Sequence, residues 1–554
     1  MGFYVGIDLG TTNSTVSVIQ TKNTDDSPLD TLTTCPIFQY KTIGEFIADE
    51  CLPSALNFDI DNRRVYTGLY AKNIYASGEQ SLQTAVSVKT RIGSDARLEI
   101  PSRFRKNITQ IFDMKECSAF FIRTIVDSLK KNFPKLADII TNECVVTVPA
   151  AFNDDERVAT QNAVLLGGFK SCKILDEPTA ALLSYINSDS YDDSADDDTI
   201  YKLVYDIGGG TLDVSIAKLT TDFFGDYKVD IVALSDRMNL GGDNFDRLLG
   251  AYFLKEFENT NEPIQSYSKE KQAKIIARIV SQAEDCKIKL NKLILNCGND
   301  QRKLDKVKLG VEFELIDNMY VNGIVLNKKI LDELFTCYTS PEEKFGLIAP
   351  IKTALQRANL KKENISEVIL TGGMAQFYAV NEAIHKFFKD IPISTVEDTR
   401  IAVSRGAALY HWSLDEDNDA DDVKKISTIS NRLAANIYVR NSEGIFELLV
   451  PYDLSETKGT FNYIISDDNV TYFPFYLYSG NGDITTTYTQ LAGRMIKAKP
   501  EYKRGSKIPI DWEIDENKVI TIKIQDDDNI KLSRLLTPAE ISNNVINRYS
   551  INRS

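Results

Sequence analysis

Histidine and tryptophan are nearly missing from this 554-residue chain, which has two of each. His385 and His411 leave almost no material for a histidine-built zinc site or a serine–histidine–aspartate triad, and both are expected on exposed helix faces. The eight cysteines (Cys35, Cys51, Cys117, Cys144, Cys172, Cys286, Cys297 and Cys337) form no C-x-x-C pair, so reduced thiols in a cytoplasmic protein are expected. No run of about 18 apolar residues occurs, and the N-terminus has no basic-then-apolar leader, so neither membrane spanning nor secretion is expected. Gly6 stands where the myristoylation pattern needs Ser or Thr, which argues against lipidation. Positive charge is also short: Lys and Arg total 64 against 79 Asp and Glu, and a net charge of -15 disfavours nucleic-acid and anionic-membrane partners.

What is present reads as a folded protein of several domains, since 43% of residues are hydrophobic, 26% are charged, and the length exceeds what one core serves. Val5-Gly6-Ile7 and Thr15 to Ile19 flank a Gly-Thr-Thr-Asn turn, the pattern of a β-hairpin. Helical spacing from Cys117 to Phe133 precedes a buried-type strand, Glu143 to Val148, stopped by Pro149. Asn153-Asp154-Asp155-Glu156 supplies capping chemistry for a helix through Arg157 to Leu166, which Gly167-Gly168 ends. This alternation predicts an α/β sheet. Residues 186–199 read as an acidic surface loop, and Ser268 to Lys292 as a long amphipathic helix. After the helix ending near Trp412, the acidic stretch Asp415 to Asp422 marks a domain boundary. Beyond it Asn436 to Val439, Tyr472 to Tyr478 and Val519 to Ile524 alternate, with turn residues such as Asn441 to Gly444 and Gly480 to Asp483 between them, predicting an all-β module. A short helix, Pro538 to Tyr549, is expected to close the chain.

Two segments carry chemistry. Ile7-Asp8-Leu9-Gly10-Thr11-Thr12 and Tyr205-Asp206-Ile207-Gly208-Gly209-Gly210-Thr211 each place an Asp at a strand end before a glycine turn. Glycine lets backbone N–H groups approach an anion, Thr hydroxyls add donors, and a carboxylate can hold magnesium through water. A third glycine turn, Thr371-Gly372-Gly373, lies before a helix beginning near Tyr378 and is a candidate nucleoside contact.

The chain resembles the seventy-kilodalton heat-shock chaperones of DnaK type. The likeness rests on GIDLGTTNSTVSV (6–18), VVTVPAAFNDDERVAT (145–160), ILDEPTAALLSY (174–185), VYDIGGGTLDVSI (204–216), LGGDNFDR (240–247) and ILTGGMAQF (369–377). It implies a two-lobed actin-like ATPase domain, of the sugar-kinase/actin/heat-shock superfamily, at 1–414. An acidic linker (415–429), a β-sandwich substrate-binding-like domain (430–535) and a short helical tail (536–554) follow. It also implies ATP or ADP with Mg²⁺ as ligands, slow ATP hydrolysis, client polypeptides as partners, and a J-domain cochaperone and nucleotide-exchange factor as further ones.

Carried over residue by residue, the resemblance gives Asp8 and Asp206 the hydrated magnesium. Gly10, Thr11, Thr12, Asn13, Gly208, Gly209, Gly210 and Thr211 cradle phosphates, and Gly241 and Gly242 join them. Lys89 matches the lysine that positions the attacking water, with Glu177, Asp206, Asp213 and Thr211 completing the catalytic set. Glu284, Lys287, Ile288 and Asn291 fall at ribose and adenine contacts, as do Gly372, Gly373, Met374 and Gln376. Pro149 and Arg157 match residues that relay between nucleotide and the second domain.

The pattern departs from the family in three places. Gln376 stands where an arginine stacks on adenine, and it lacks the guanidinium plane. Lys424 and Lys425 stand where the family's linker has leucines, so docking of that segment is expected to be weak or altered. Too few residues follow Asp528 for a full helical lid. Aromatic strands of the β-module could form a peptide groove or simply a core. Two other readings remain: an ATP-binding assembly or interaction factor without a client cycle, and a sugar or metabolite kinase, which leaves TVPAAF, DEPTAA and the β-module unexplained.

Overall fold

The computed structural model describes residues 2–552 apart from 22–26, 189–198, 222–226, 299, 396–397, 416–417, 419–422, 425, 431–432, 434–435, 442, 455, 481–487, 525–529 and 532–533. Most of the acidic loop expected at 186–199 and most of the acidic stretch at 415–422 lie outside these residues, as do Lys425 and the tip of the turn at 480–483.

Two central sheets repeat one plan. In the first lobe the order is Ser171–Asp176, Glu143–Val148, Gly2–Asp8, Asn13–Thr21, Thr33–Thr34. In the second it is Ile393–Thr395, Glu367–Thr371, Ile200–Ile207, Leu212–Thr221, Tyr227–Leu234, Ile426–Ser430. Each begins with parallel strands and turns antiparallel at a hairpin: Asp8 lies opposite Thr15, and Asp206 opposite Asp213. Both hairpins come from β-branched runs around a glycine-bearing turn, as the sequence predicts.

Helices pack where their sequence caps allow. Met114–Asn132 starts with a capping box between Asp113 and Glu116, and Asp154–Gly167 with one between Asn153 and Glu156. Lys269–Leu295 is capped by Ser268. Beneath the first sheet, Ala402–Ser413 crosses Glu177–Ile186 so closely that a methyl on Gly406 would sit 1.8 Å from the Ala180 carbonyl oxygen. His411, on that helix, corrects an expectation: it is 7% exposed because its Nδ1 accepts the Val5 N–H at 2.9 Å, and burial lowers its pKa. His385 is exposed as expected.

The C-terminal module is a sandwich of two four-stranded sheets. One orders Phe446–Val450, Asn436–Arg440, Tyr472–Gly480 and Thr489–Lys497; the other Lys458–Ile464, Lys507–Ile514, Ile520–Ile524 and Ile530–Lys531. In the aromatic run, Phe473, Phe475 and Leu477 alternate into the core with Trp512, while Tyr472 is exposed. Those inward residues are therefore packing residues.

In the connecting segment, whose docking is expected to be weak or altered, the backbone of residues 426–430 pairs in parallel with Tyr227–Asp230. Lys424 does not obstruct this, because Asn187 holds its N–H at 2.8 Å and its carbonyl at 3.1 Å, and its ammonium lies 5.6 Å from the Tyr227 ring centroid, half-exposed. The end of the chain is less helical than expected: Pro538–Asn543 is α-helix, Val545–Arg548 a 3₁₀ turn, and Ser550–Ile551 a strand paired in parallel with Arg64 and Val65 of the first lobe.

Candidate functional site

The two aspartate-led turns meet across the space between the lobes. A methyl on Gly209 would lie 1.8 Å from the Thr12 hydroxyl, so glycine permits this close approach, and one on Gly210 would lie 3.1 Å from a Thr11 carbon, a tight contact. Gly10 closes the first turn against the Asn13 carbonyl, and the Gly208 N–H donates to the Thr211 carbonyl at 3.0 Å in the second. A third loop joins them: the Gly242 N–H donates to the Gly208 carbonyl at 3.1 Å, and Gly241 packs on Gly209. The fourth turn brings Gly372, at φ +86°, against Asp206, and the Met374 N–H donates to the Ile207 carbonyl at 3.0 Å. The face of Gly373 opens onto free space.

Carboxylates line the floor. Burial raises Asp8 to about 7, with Lys89 opposing, and raises Asp213 to about 7, with Glu177 adding. Asp206 is driven well above its ordinary value by burial and then by Glu177, Asp213 and Asp8. The Lys89 ammonium is buried and hydrogen-bonds Glu177, with its charge also over the Phe152 ring at 5.8 Å. That leaves Asp8, Asp206 and Asp213 pressing on one another, an arrangement that a hydrated divalent cation relieves. Among the described residues no three His, Cys, Asp or Glu side chains are grouped to hold a metal ion directly. The hydroxyls of Thr12 and Thr371 are buried and have no hydrogen-bond partner among the described residues, so they are ready for a bound ligand.

Above the floor a cavity of about 280 Å³ is lined by Thr11, Thr12, Lys72, Tyr75, Asp243 and Glu284. Lys72 of the first lobe pairs with Glu284 of the second at 2.8 Å, spanning the opening. Lys287 turns to Asp246 at 2.8 Å and reaches the Gly242 carbonyl at 3.3 Å. Asn291 is occupied by the fourth turn, donating to the Gln376 carbonyl at 3.1 Å and accepting from the Tyr378 N–H at 2.9 Å. Met374 is buried, Asn13 and the Gln376 side chain are exposed, and Ile288 is 44% exposed. The glycine turns and acids are thus brought together, but of the site residues expected from sequence only Thr11, Thr12 and Glu284 line this cavity.

Sequence reasoning missed Lys72, Asp246 and Arg237. Arg237 pairs with Glu156 at 2.9 Å and acts against the raised pKa of Asp213. It missed Lys518 as well. From the β-module, Lys518 reaches Asp176 at 2.6 Å while Arg157 holds the same carboxyl at 2.8 Å, with all three side chains buried. The spacing of 72 to 284 or 176 to 518 leaves no local signal.

The Hsp70 protein family model matches residues 4–543. The chain is similar to the chaperone protein DnaK of Thermosipho africanus (strain TCF52B), 26% identical over 533 residues that make up 95% of this chain and 78% of the relative. Its likeness to the DnaK chaperone of Gracilaria tenuistipitata var. liui is 27% over 544 residues, covering 95% and 78%. For that of Guillardia theta it is 26% over 542 residues, covering 95% and 77%. With a family match across both lobes and the β-module, this chain belongs to the Hsp70 family.

Proposed function

We propose that the chain is an ATP-dependent molecular chaperone that binds Mg²⁺-ATP between its lobes, hydrolyses it slowly and holds client polypeptides through the β-module. The observation that carries this reading is the pair of aspartate-led glycine turns in contact across one cleft, above acids crowded enough to want a cation. When bound, the magnesium supplies neutralisation of phosphate charge. Asp8 and Asp206 would hold it through water. The backbone N–H groups of Gly209 and Gly210 and the Thr11, Thr12 and Thr211 hydroxyls would orient the phosphates, with Gly10, Gly208, Gly241 and Gly242 allowing close approach. Lys89, fixed by Glu177, and Asp213 would place the attacking water in line, the main catalytic demand of phosphoryl transfer.

Glu284, Lys287, Gly372, Gly373 and Met374 would border the nucleoside. Gln376 offers it no stacking cation, which predicts modest base affinity. The proposed division is an ATPase domain at 1–414, a connecting segment at 415–429, the β-domain at 430–535 and a tail at 536–554. A cytoplasmic setting accords with eight free cysteines, and a J-domain cochaperone and exchange factor are proposed partners.

The test is calorimetric titration with Mg²⁺-ATP, then single-turnover hydrolysis with and without an unfolded peptide. Binding plus peptide-stimulated hydrolysis is expected. Absence of ATP binding sinks the reading, and binding without stimulation replaces it with an ATP-binding interaction factor.

A further inference from the structure

Arg237 stands three residues before Leu240-Gly241-Gly242, the loop that packs on the second aspartate-led turn. Its backbone is fixed from the next residue: the Leu212 N–H donates to the Met238 carbonyl at 2.9 Å, and the Met238 N–H donates back at 3.3 Å. From this second-lobe position the side chain crosses to the first lobe. It donates to Glu156 Oε1 at 2.9 Å, and its guanidinium carbon lies 5.2 Å from the Phe152 ring centroid. The paired side chains are only 20% and 16% exposed, so water screens this contact less than it would a surface ion pair.

The seat that receives Arg237 is also the seat of Lys89. The Lys89 ammonium lies 5.8 Å from the same Phe152 ring, which is buried. Gly93, at φ +78°, ends the short segment that carries Lys89, and a methyl there would fall 2.7 Å from the Glu156 backbone N and Cα. Glu156 itself cannot swing away freely, because its Oε2 accepts the Asn153 N–H at 2.9 Å in the capping box. Arg237 thus rests on two residues that also support the lysine of the other lobe.

We propose that Arg237 is a positioning residue for ATP hydrolysis: seated on Glu156 and Phe152, it sets the glycine loop 240–242 of the second lobe against the segment 88–93 that carries Lys89. The inference rests on the function proposed above. It assigns Arg237 no contact with the phosphates. The residue acts through the register between the lysine that places the attacking water and the loop beside the phosphate cradle, and in-line transfer is sensitive to that register. The Arg237 Nε is buried without a hydrogen-bond partner among the described residues, so one pairing and one ring contact hold the guanidinium. A lysine ammonium can make both kinds of contact, as it could not at a bidentate site.

The test is single-turnover hydrolysis and calorimetric titration with Mg²⁺-ATP on the full chain, unaltered and with Arg237→Gln, Arg237→Lys, Glu156→Gln, and Arg237→Gln with Glu156→Gln together. Glutamine at 156 keeps an oxygen for the Asn153 N–H, so the helix start survives. Arg237→Gln is expected to slow hydrolysis by about 10- to 100-fold while changing ATP affinity by less than about twofold. Arg237→Lys should recover most of the rate, Glu156→Gln should slow it as Arg237→Gln does, and the double variant should be no slower than either single one, since both remove one contact.

An unchanged rate for Arg237→Gln, a lysine variant no faster than the glutamine one, or effects of the two sites that multiply would each overturn the inference. So would a loss of rate matched by an equal loss of ATP affinity, which marks a role in binding or folding. Urea denaturation of each variant shows that the chain is folded under assay conditions. Should Arg237→Gln not fold, Arg237→Lys against Glu156→Gln decides by the same criteria. An unaltered chain that binds no ATP brings down the ATPase reading and this inference with it, whereas normal turnover in the unaltered chain and in Arg237→Gln brings down this inference alone.

Discussion

Asp176 and Glu177 are consecutive in the chain and sit in opposite electrostatic surroundings. Burial works to raise Asp176, yet Lys518 and Arg157 outweigh it and hold the carboxyl below its ordinary value. Glu177, one residue on, shares Lys89 with a crowd of acids whose protons are held tightly. The first site is complete, with two cations on one carboxylate and no unmet demand. The second has more negative charge than its own lysine can settle and needs something brought from outside. A buried ion cluster that balances itself joins parts of a protein, whereas one left in deficit is a place for a ligand.

Substitutions on the two sides should therefore fail differently. Lys89→Ala should slow single-turnover hydrolysis about 100- to 1,000-fold while calorimetry still records nucleotide binding, because the loss falls on the reacting arrangement. Lys518→Ala should leave hydrolysis chemistry nearly intact but weaken the seating of the β-module by about 3 kcal/mol, the scale for opening a buried ion cluster. Faster proteolysis between the lobes and the module would register it. Equal effects of both variants on hydrolysis would erase the distinction between the two sites.

Proton linkage sharpens the comparison further. Asp154, against the Ile520 N–H, is raised to about 7 by burial, with Asp155 and Asp515 adding and Arg157 opposing. Its folded-state pKa lies above the unfolded one, so the folded chain keeps a proton between about pH 4 and 7 and stability falls as pH rises through that window. Asp8 and Asp213 slope the same way. Asp154→Asn should flatten the urea-derived stability profile by up to about 1.4 kcal/mol per pH unit there, leaving the cleft contribution behind. An unchanged profile would show that Asp154 does not hold that proton. The smallest effect expected is for Ile551→Val, about 1 kcal/mol in urea denaturation, as for one methylene lost from a packed position.

Much of the first lobe was legible from sequence because its determinants are local. The Asn153–Glu156 capping box, the strand Glu143–Val148 stopped by Pro149, and the hairpin around Gly10 each depend on residues a few places apart. The repeated Asp–glycine turn was legible too, since it recurs almost unchanged. What escaped notice is set by tertiary apposition. Lys518 reads as an ordinary turn lysine, at φ +62°, until the fold delivers it to Asp176. Ile546, Tyr549 and Ile551 look like sparse apolar residues in a polar tail, because what they join is more than 400 positions earlier: both isoleucines belong to the first-lobe core, Tyr549 meets Phe112 and Phe120, and Ile551 pairs with Val65. His411 misled for the same reason: nothing beside it announces the Val5 N–H that donates to its ring.

Gly209 sets the narrowest gap in the molecule's working parts. The space it leaves before Thr12 is smaller than a methyl group, so the lobes already rest against each other at that point. An alanine there would act as a doorstop, wedging the cleft ajar however tightly the remaining groups pulled it shut.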